Sequence, residues 1–374
     1  MEQLLYEGAG SLSRLPEMLA SLGISRPLLV CGERLRKRLG GAVPEAADFP
    51  CFSGYHPNPD WEDVAAGAVL YREMGCDGLV SLGGGSAMDT AKAIKCLLLS
   101  GSEEAALALR LPQAPLPHIA VPGTAGTGAE ATPFSVVYLR GKKNSLHHPL
   151  LLPEGVILDP DLLDTLPDYH RKSCAADALA QAMESCWAAS ATGESRRIAH
   201  ASLEEVMACL KAYIAGDHAA DALMLRAAYD SGRAIATSKT TAAHAMSYGL
   251  TKKLGIAHGH ACMLTLPLLW ENAQEFPELA LTLKETAAVM RLPEARVPRL
   301  LRALVLCSGL GIPAMPDEAA LQLLADGVNP ERLGNHPVRL SRSDLLGIYR
   351  RALTPLAPQE EAAARQLWSE YEFC

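Results

Sequence analysis

The stretch that decides the fold is Gly78–Lys92, which reads GLVSLGGGSAMDTAK. Its first five residues have the apolar character of a buried strand, and its last six residues favour a helix. Gly83, Gly84 and Gly85 let the backbone turn sharply and approach a ligand closely. Ser86 is placed to cap the helix, whose first N–H groups attract anions. We expect a loop that binds a dinucleotide pyrophosphate. Because the spacing is not GxGxxG, a glycine turn without a ligand is the alternative.

A second glycine- and threonine-rich loop, Pro122–Phe134 (PGTAGTGAEATPF), follows an apolar run at His118–Val121. Its hydroxyl and N–H groups are suited to contact phosphate or nicotinamide, and a flexible connection is the alternative. Two such loops, each directly after a strand, indicate the carboxyl edge of one sheet, where α/β proteins usually bind ligands.

Outward from these loops the chain divides into two parts. Up to about residue 165, short apolar runs alternate with helix-like stretches, which predicts an α/β domain with a largely parallel sheet. The predicted strands are Pro27–Cys31, Gly78–Leu82, His118–Val121, Phe134–Leu139 and Val156–Leu158, and the clearest helices are Trp61–Met74 and Ala87–Leu99. Residues 166–374 are expected to be helical, with helices over Ser173–Ala189, Ser195–Ala215 and Ala219–Thr237.

Composition excludes several classes of protein. The net charge is −8 without a basic block, which argues against a nucleic-acid partner. No apolar run approaches the roughly 20 residues of a membrane helix, and no signal peptide is apparent. Ten cysteines without a CxxC pair fit a reducing cytoplasm and argue against a cysteine-based zinc site.

Four residues suggest a metal site. Asp177 and Gln181 are four residues apart on a predicted helix and share a face, although a solvated polar face is the alternative for the pair alone. His244 and His258 would lie ~21 Å apart in one straight helix, so shared ligation requires a turn between them, for which Gly249 and Gly255 are candidates. Two imidazoles, a carboxylate and an amide oxygen suit Fe(II) or Zn(II).

Together GGGSAMDTAK, PGTAGTGAEAT, Asp177, His244 and His258-Gly259 resemble the iron-containing alcohol dehydrogenase family over roughly residues 1–360. The resemblance implies a dehydroquinate synthase-like fold, with a dinucleotide-binding α/β domain, a helical metal-binding domain and the site between them. It implies a nicotinamide cofactor, one divalent metal and a homodimer or larger oligomer. The residues that would contact the cofactor are Gly32, Gly83, Gly84, Gly85, Ser86, Asp89, Thr124, Thr127 and Lys143.

Three positions depart from the family pattern. Gln181 stands where the family has a histidine ligand, Tyr248 replaces a second histidine, and Ala129 replaces a serine. An amide oxygen is a harder donor than imidazole, so the metal could be bound more weakly or be of another kind. A metal-free binding protein on a retired enzyme scaffold is therefore one alternative. Dehydroquinate synthase and glycerol-1-phosphate dehydrogenase activities on the same scaffold are another.

A narrower resemblance concerns the substrate. The segments KKNSLHHPLLLP and SKTTAAHAMSYGLTKKLGIAHGHA are similar to those of the phosphonoacetaldehyde reductase branch. It implies a small anionic aldehyde, with sulfoacetaldehyde or uncharged short aldehydes as alternatives. The donors expected to bind the anion are Lys143, His147, His148 and Lys239.

The resemblance also bears on the cofactor and on the proton donor. Gly32 occupies a position that is often acidic and Arg34 is nearby, which favours NADPH over NADH, although Glu33 could take the place of the acid. In the expected reaction the metal polarises the aldehyde and the nicotinamide donates hydride. Tyr248 or His260 would then relay a proton, with a structural role as the alternative for His260.

Overall fold

The computed structural model describes residues 3–112 and 116–371. Contacts divide the chain into two compact units, Met1–Leu166 and Pro167–Cys374. The division falls one residue after the boundary predicted from the sequence.

The first unit contains a sheet of six strands: β1 Leu4–Glu7, β2 Pro27–Cys31, β3 Cys51–Phe52, β4 Gly78–Gly83, β5 His118–Pro122 and β8 Gly155–Leu158. The order is β1-β8-β5-β4-β2-β3, and every neighbouring pair is parallel. Cys31 pairs with Leu82, and Gly83 pairs with Pro122. Three strands therefore end side by side at one edge of the sheet, with the glycine loops directly after β4 and β5.

One predicted strand lies outside this sheet. Phe134–Leu139 (β6) is a strand as predicted, but it pairs with Lys142–His147 (β7) as a separate antiparallel hairpin. Arg140 and Gly141 connect the two strands with φ of 49° and 73°. Positive φ at both central residues is the conformation of a tight hairpin turn, which returns the chain on itself before it can join the larger sheet.

Helices cover both faces of the parallel sheet. The helices of this unit are α1 Leu15–Ser21, α2 Glu33–Ala42, α3 Trp61–Glu73, α4 Gly85–Ser100 and α5 Glu103–Leu107. Leu29 and Leu82 pack into one core with Leu35 of α2, whereas Leu28 and Ile94 belong to the core on the opposite face. Because both faces of the sheet are buried, the sequences of these strands are continuous apolar runs.

The second unit is built from helices, and no strand occurs among its residues up to 371. They are α6 Asp168–Trp187, α7 Gly193–Ile214, α8 Asp221–Ser238, α9 Ala242–Leu254, α10 His258–Ala273, α11 Ala280–Val289, α12 Val297–Ser308, α13 Glu318–Asp326, α14 Pro330–Leu333, α15 Arg342–Ala352 and α16 Pro358–Glu370. The predicted α/β unit followed by a helical unit is thus confirmed. In the part of the chain described, no helix is long and apolar enough to cross a membrane.

The turn required between the two histidines lies at one of the two predicted glycines. Gly255 follows the last residue of α9 in the left-handed conformation, with φ of 67°, and α10 begins three residues later. Gly249 lies inside α9 instead, so its assignment as a turning point is wrong. A Cβ on Gly249 would lie 2.7 Å from Leu324 Cδ2, which shows that this glycine allows close packing.

Candidate functional site

Helices α6, α9 and α10 bring the predicted ligands of the second unit together. Asp177 lies in the middle of α6, His244 in the first turn of α9 and His258 at the start of α10. His244 Nε2 is 3.3 Å from Asp177 Oδ1, and His258 Nε2 is 3.9 Å from the same oxygen. Side chains that are 67 and 81 positions apart from Asp177 in the sequence therefore converge on one point.

The atoms that converge there are acceptors without a donor. Asp177 Oδ1 and His244 Nε2 are buried, and neither has a hydrogen-bond partner. A buried polar atom without a partner carries a desolvation cost that a bound cation would remove. The donor set of one carboxylate and two imidazoles is the type that binds Fe(II) or Zn(II) in proteins. The residues present therefore fit a divalent metal.

Glu184 fixes which nitrogen of His244 faces the site. Its carboxylate is completely buried and accepts hydrogen bonds from His244 Nδ1 at 2.5 Å, Thr241 Oγ1 at 2.6 Å, Ala243 N at 2.7 Å and Thr241 N at 3.0 Å. Since Nδ1 donates its proton to Glu184, Nε2 is the nitrogen that carries the lone pair when the His244 ring is neutral. Glu184 was not identified from the sequence, although Asp177, Gln181 and Glu184 follow the i, i+4, i+7 spacing of one helix face.

Ser247 orients His258 in the same way. The Ser247 hydroxyl donates to the backbone oxygen of His244 at 2.8 Å and lies 3.1 Å from His258 Nδ1. Because its single proton is used on the backbone, the hydroxyl oxygen accepts from Nδ1 of His258. The lone pair of His258 is then on Nε2 and points to Asp177. Partners of this kind, outside the ligand set, are characteristic of metal-binding histidines.

The charges in the cluster support one another. Burial would raise the pKa of Glu184, but His244 and the Thr241 donors outweigh it and hold that pKa at about 2. Burial likewise opposes ionisation of Asp177, and His258 and His244 lower its pKa below the usual value. Both carboxylates are therefore ionised at neutral pH. Although burial opposes it, Cys262 and the carboxylates raise the pKa of His244 well above its usual value and that of His258 to about 9, so both rings are charged until a bound metal displaces their Nε2 protons.

The fourth predicted ligand, Gln181, lies one helical turn after Asp177 and is buried. Its Oε1 accepts a hydrogen bond from Ser231 Oγ at 2.9 Å, and its side chain also hydrogen-bonds Asp177. In this orientation the amide supports the Asp177 carboxylate.

Cys262 is a fourth side chain with a ligand atom in the cluster. One ligand atom each from Asp177, His244, His258 and Cys262 lies within 4.8 Å of the other three. Cys262 is fully buried, and its Sγ is 3.9 Å from His258 Nε2. The sequence argument against a cysteine-based zinc site rested on the lack of CxxC pairs and did not take Cys262 into account. Position 262, four residues after His258 on one helix face, was the signal available.

The two predicted proton donors have different surroundings. Tyr248 stacks on the His258 ring, with centroids 5.6 Å apart and an interplanar angle of 17°. His260 has both ring nitrogens engaged, since Nε2 is 2.9 Å from Gly311 O and Nδ1 is 3.1 Å from the Tyr169 hydroxyl. These contacts favour the structural alternative for His260.

In the first unit the two glycine loops contact each other. A Cβ on Gly84 would lie 3.2 Å from Thr124 Cγ2, and a Cβ on Gly85 would lie 3.3 Å from Thr127 Cγ2. Side chains at these glycines would crowd the threonines, so the absence of side chains keeps both loops together. The predicted cofactor residues of the two loops therefore form one surface at the carboxyl edge of the sheet.

The helix after the first loop begins earlier than predicted. Helix α4 starts at Gly85 with Gly84 as its N-cap, and no side chain caps it within the described residues. Ser86 lies in the first turn and accepts a hydrogen bond from Asn58 N at 3.2 Å, so the prediction that Ser86 caps the helix is wrong. A glycine N-cap leaves the first N–H groups of α4 available to an anion.

Other predicted residues of the first unit lie on or beside the hairpin. Burial raises the pKa of Asp89 to about 6, and the charges of Lys92 and Lys143 oppose that rise. His147 is exposed and packs edge-on against Phe134. His148 Nδ1 accepts a hydrogen bond from Leu150 N at 3.2 Å. Lys143 and the two histidines thus belong to the segment that forms and follows β7.

The candidate for the adenosine ribose, Gly32, is the N-cap of α2 at the end of β2. Arg34 donates from Nη1 to the backbone oxygen of Thr165 at 2.5 Å. Glu33 is exposed and lies 3.6 Å from Lys37.

Lys239, the anion candidate of the second unit, precedes α9 by three residues. It is half-buried, with φ of 56° and ψ of 174°. Such a φ is unusual for a residue with a side chain, and strain of this kind is concentrated at functional sites.

Comparisons with known proteins agree with this geometry. Residues 3–160 match the family described as iron-containing alcohol dehydrogenase, and residues 173–353 match the C-terminal region of the Fe-containing alcohol dehydrogenase family. The chain is 34% identical over 320 residues to a phosphonoacetaldehyde reductase from Streptomyces viridochromogenes, which covers 78% of this chain and 80% of that protein. It is 32% identical over 296 residues to a choline dehydrogenase from Bacillus subtilis, with coverage of 74% and 72%.

Solved structures of similar proteins match the fold of this chain over almost its whole length. A sulfoacetaldehyde reductase from Bifidobacterium kashiwanohense, in complex with NAD+, matches with a TM-score of 0.85 at 27% identity and covers 94% of this chain and 97% of its own. An iron-containing alcohol dehydrogenase from Thermotoga maritima matches with a TM-score of 0.84 at 28% identity, with coverage of 94% and 98%.

Proposed function

Since the chain belongs to the iron-containing alcohol dehydrogenase family, we propose that it is a metal-dependent reductase that uses NAD(P)H to convert a small anionic aldehyde into its alcohol. The single observation that carries the proposal is the convergence of Asp177 Oδ1, His244 Nε2 and His258 Nε2. Two of these atoms are buried acceptors without a partner, which is the arrangement that a divalent cation completes.

Each residue of the cluster has a proposed task. Asp177, His244 and His258 hold the metal, Glu184 and Ser247 fix the two imidazoles, and Gln181 holds the Asp177 carboxylate. When bound, the metal supplies Lewis acidity that polarises the aldehyde carbonyl, and reduced nicotinamide supplies the hydride. We assign the proton transfer to Tyr248, because its ring stacks on that of His258. The two ring nitrogens of His260 are held instead by Tyr169 and by Gly311 O.

The cofactor is proposed to bind at the two glycine loops. Gly83, Gly84, Gly85 and Ser86 would surround the pyrophosphate at the uncapped start of α4, and Thr124 and Thr127 would lie beside the nicotinamide half. Gly32 at the end of β2 leaves no acid at the ribose position itself, so we propose that NADPH is accepted. The hydrogen bond from Arg34 to the backbone oxygen of Thr165 would have to break before the guanidinium could contact the 2′-phosphate of NADPH.

The substrate class is proposed from the relatives and from one strained residue. Two similar proteins are named for aldehydes that carry a phosphonate or a sulfonate, whereas a third is named for choline, which is a cation. Among the four basic candidates we favour Lys239, since it is the one beside the metal helix α9 and has a strained backbone. Lys143, His147 and His148 remain the candidates in the first unit.

A cofactor-oxidation screen tests the function. Purified protein, loaded separately with Fe(II) and Zn(II), is assayed with NADH and NADPH on phosphonoacetaldehyde, sulfoacetaldehyde and propionaldehyde. We expect turnover that requires metal and favours an anionic aldehyde. Equal rates on propionaldehyde would contradict the anionic substrate class, and a strong preference for NADH would contradict the cofactor assignment. No turnover with any aldehyde and either metal would favour the metal-free binding protein.

The Lys239→Met variant tests the anion contact. It keeps the length of the side chain and removes its charge, so we expect KM for the anionic aldehyde to rise roughly 10-fold or more, as for a lost charge-assisted hydrogen bond. The KM for propionaldehyde should not change. Lys252→Met, an exposed position on α9, is the matched control. If the two variants behave alike, Lys239 does not bind the anion.

A further inference from the structure

We propose that Cys262 is itself a ligand of the metal and that its thiolate makes the site select Zn(II) over Fe(II). The inference rests on the proposed function, because it assumes that Asp177, His244 and His258 hold a divalent cation. It adds a ligand of different chemistry and a choice of metal.

The position of Cys262 follows from the helix that also carries His258. Residues four apart lie on one face of a helix, so Cys262 projects to the same side of α10 as His258, one turn further on. Its Sγ is 3.9 Å from His258 Nε2, and the four ligand atoms of the cluster lie within 4.8 Å of one another. Around a tetrahedral zinc with bonds of about 2.0–2.3 Å, two ligand atoms are about 3.3–3.6 Å apart. Small side-chain rotations therefore suffice for all four to bind one ion.

The contacts of the Cys262 thiol differ from those of two other buried cysteines in helices of the second unit. Cys186 and Cys209 lie in helices, and each Sγ is 3.2 Å from the backbone oxygen four residues earlier. Cys262 is in an equivalent helical environment, but its Sγ contacts the imidazole of His258. That nitrogen carries the lone pair, since Nδ1 of His258 donates to Ser247. The sulfur is thus directed at the same point as the other ligand atoms.

Gln181 leaves a ligand position for the sulfur to fill. Its amide hydrogen-bonds Asp177, and its Oε1 lies 2.9 Å from Ser231 Oγ, so in this orientation the oxygen faces Ser231 on α8. Asp177, His244 and His258 supply three donors, and Cys262 is a fourth donor that reaches the site. On metal binding the S–H bond breaks, the proton passes to water and a sulfur–metal bond forms. Thiolate is a soft ligand that favours zinc, and zinc also binds more tightly than Fe(II) to sites of this kind.

Cobalt substitution provides the first test. The full chain is stripped of metal with a chelator and titrated with Co(II), which takes the same ligands as zinc and is coloured. We expect an intense near-ultraviolet sulfur-to-cobalt charge-transfer band in the wild type. Cys262→Ser should lose this band while it retains the visible cobalt bands. Cys307→Ser, a half-buried cysteine on α12, should keep both and is the matched control.

A measurement on the unaltered protein covers the case in which Cys262→Ser fails to fold. X-ray absorption at the zinc edge, with one equivalent of Zn(II), should show one sulfur neighbour at about 2.3 Å. Only nitrogen and oxygen neighbours would overturn the role of Cys262 and leave the metal centre of the proposed function intact. Failure of the wild type to bind one equivalent of any divalent metal would overturn both.

Competition between metals tests the selectivity. Cys262→Ser should lower the ratio of Zn(II) to Fe(II) affinity by at least about 10-fold (about 1.4 kcal/mol), because serine replaces a soft thiolate with a hard oxygen donor. An unchanged ratio would overturn the proposed selection of zinc.

Discussion

At the scale of single residues, a carboxylate outside the ligand set controls the chemistry of the site. Glu184 accepts four hydrogen bonds, one of them from His244 Nδ1. It therefore holds the Nδ1 proton of His244 on the side away from Asp177 and turns Nε2 towards the proposed metal site. The same carboxylate ties the first turn of α9 to α6 through Thr241 and Ala243.

Glu184→Gln tests this role. An amide cannot accept four hydrogen bonds as a carboxylate does, and its NH2 group would face the N–H donors of Thr241 and Ala243. We expect metal affinity to fall roughly 10–100-fold, as is usual when the partner of a metal-binding histidine is lost. Chelator competition with a metal indicator measures the affinity. Glu194→Gln, on the exposed start of α7, is the control, and equal affinities in the two variants would contradict the role of Glu184.

The site residues differ in how far the sequence could reveal them. The convergence of Asp177, His244 and His258 could be predicted, because the family resemblance places all three in one site and shared ligation by the two histidines requires a turn between them. Glu184 and Ser247 could not be identified from the sequence. Their role is to accept the Nδ1 protons of His244 and His258, and these contacts depend on how the helices pack. The i, i+4, i+7 spacing from Asp177 to Glu184 was available as a signal, but polar helix faces are usually solvated.

At the scale of elements, the site depends on how closely α10 approaches α6. Gly259 follows His258 and lies against α6, where an added Cβ would be 2.0 Å from Ser173 O and 2.7 Å from Asp177 N. The backbone atoms of α6 cannot move aside cheaply. The lack of a side chain at position 259 therefore sets the distance between Asp177 and His258.

Gly259→Ala should displace the start of α10. We expect a loss of about 1–3 kcal/mol in unfolding free energy, as for an overpacked core, together with a loss of metal binding. Gly347→Ala is the matched control, because position 347 lies inside α15 with open space at its Cβ. This control should be stabilised by up to ~1 kcal/mol. Denaturant unfolding and metal content measure both effects, and full metal occupancy in Gly259→Ala would contradict the argument.

The elements that the sequence predicted are those with strong apolar patterns. Strands β2 and β6 were predicted with the observed bounds, and β4 and β5 to within one residue. Strand β7 was missed because its sequence, KKNSLH, is polar. Its pairing with β6 depends on a tight turn in which both Arg140 and Gly141 have positive φ. Strand β3, of two residues, is too short to give any periodic signal.

At the scale of the whole molecule, the glycine loops lie entirely in the first unit and the ligand cluster entirely in the second. Unfolding of the second unit would therefore separate the side chains of the proposed metal site. His336 belongs to this unit, is buried and packs edge-on against Trp187. Burial lowers its pKa from 6.5 to about 4, although the charge of Glu184 opposes the fall.

This shift predicts an acid-dependent loss of stability. A histidine with a depressed pKa in the folded state is neutral there while the unfolded chain takes up a proton. The contribution of neutral His336 to the unfolding free energy is complete above pH 6.5 and is lost as the pH falls towards 4. The loss amounts to about 3 kcal/mol.

The comparison of His336→Gln with the wild type isolates this contribution, since other titrating groups act on both proteins. Between pH 7 and pH 4 the wild type should lose more unfolding free energy than His336→Gln, by about 3 kcal/mol. His170→Gln, at an exposed position of α6, should follow the wild type. Parallel curves for wild type and His336→Gln would contradict the prediction.

The most direct test of the metal centre is anomalous diffraction from crystals of the full chain loaded with one equivalent of Zn(II). We predict a single strong peak about 2.0–2.3 Å from His244 Nε2, His258 Nε2 and the Asp177 carboxylate. A peak at another place, or crystals of folded protein that take up no zinc at these residues, would contradict it.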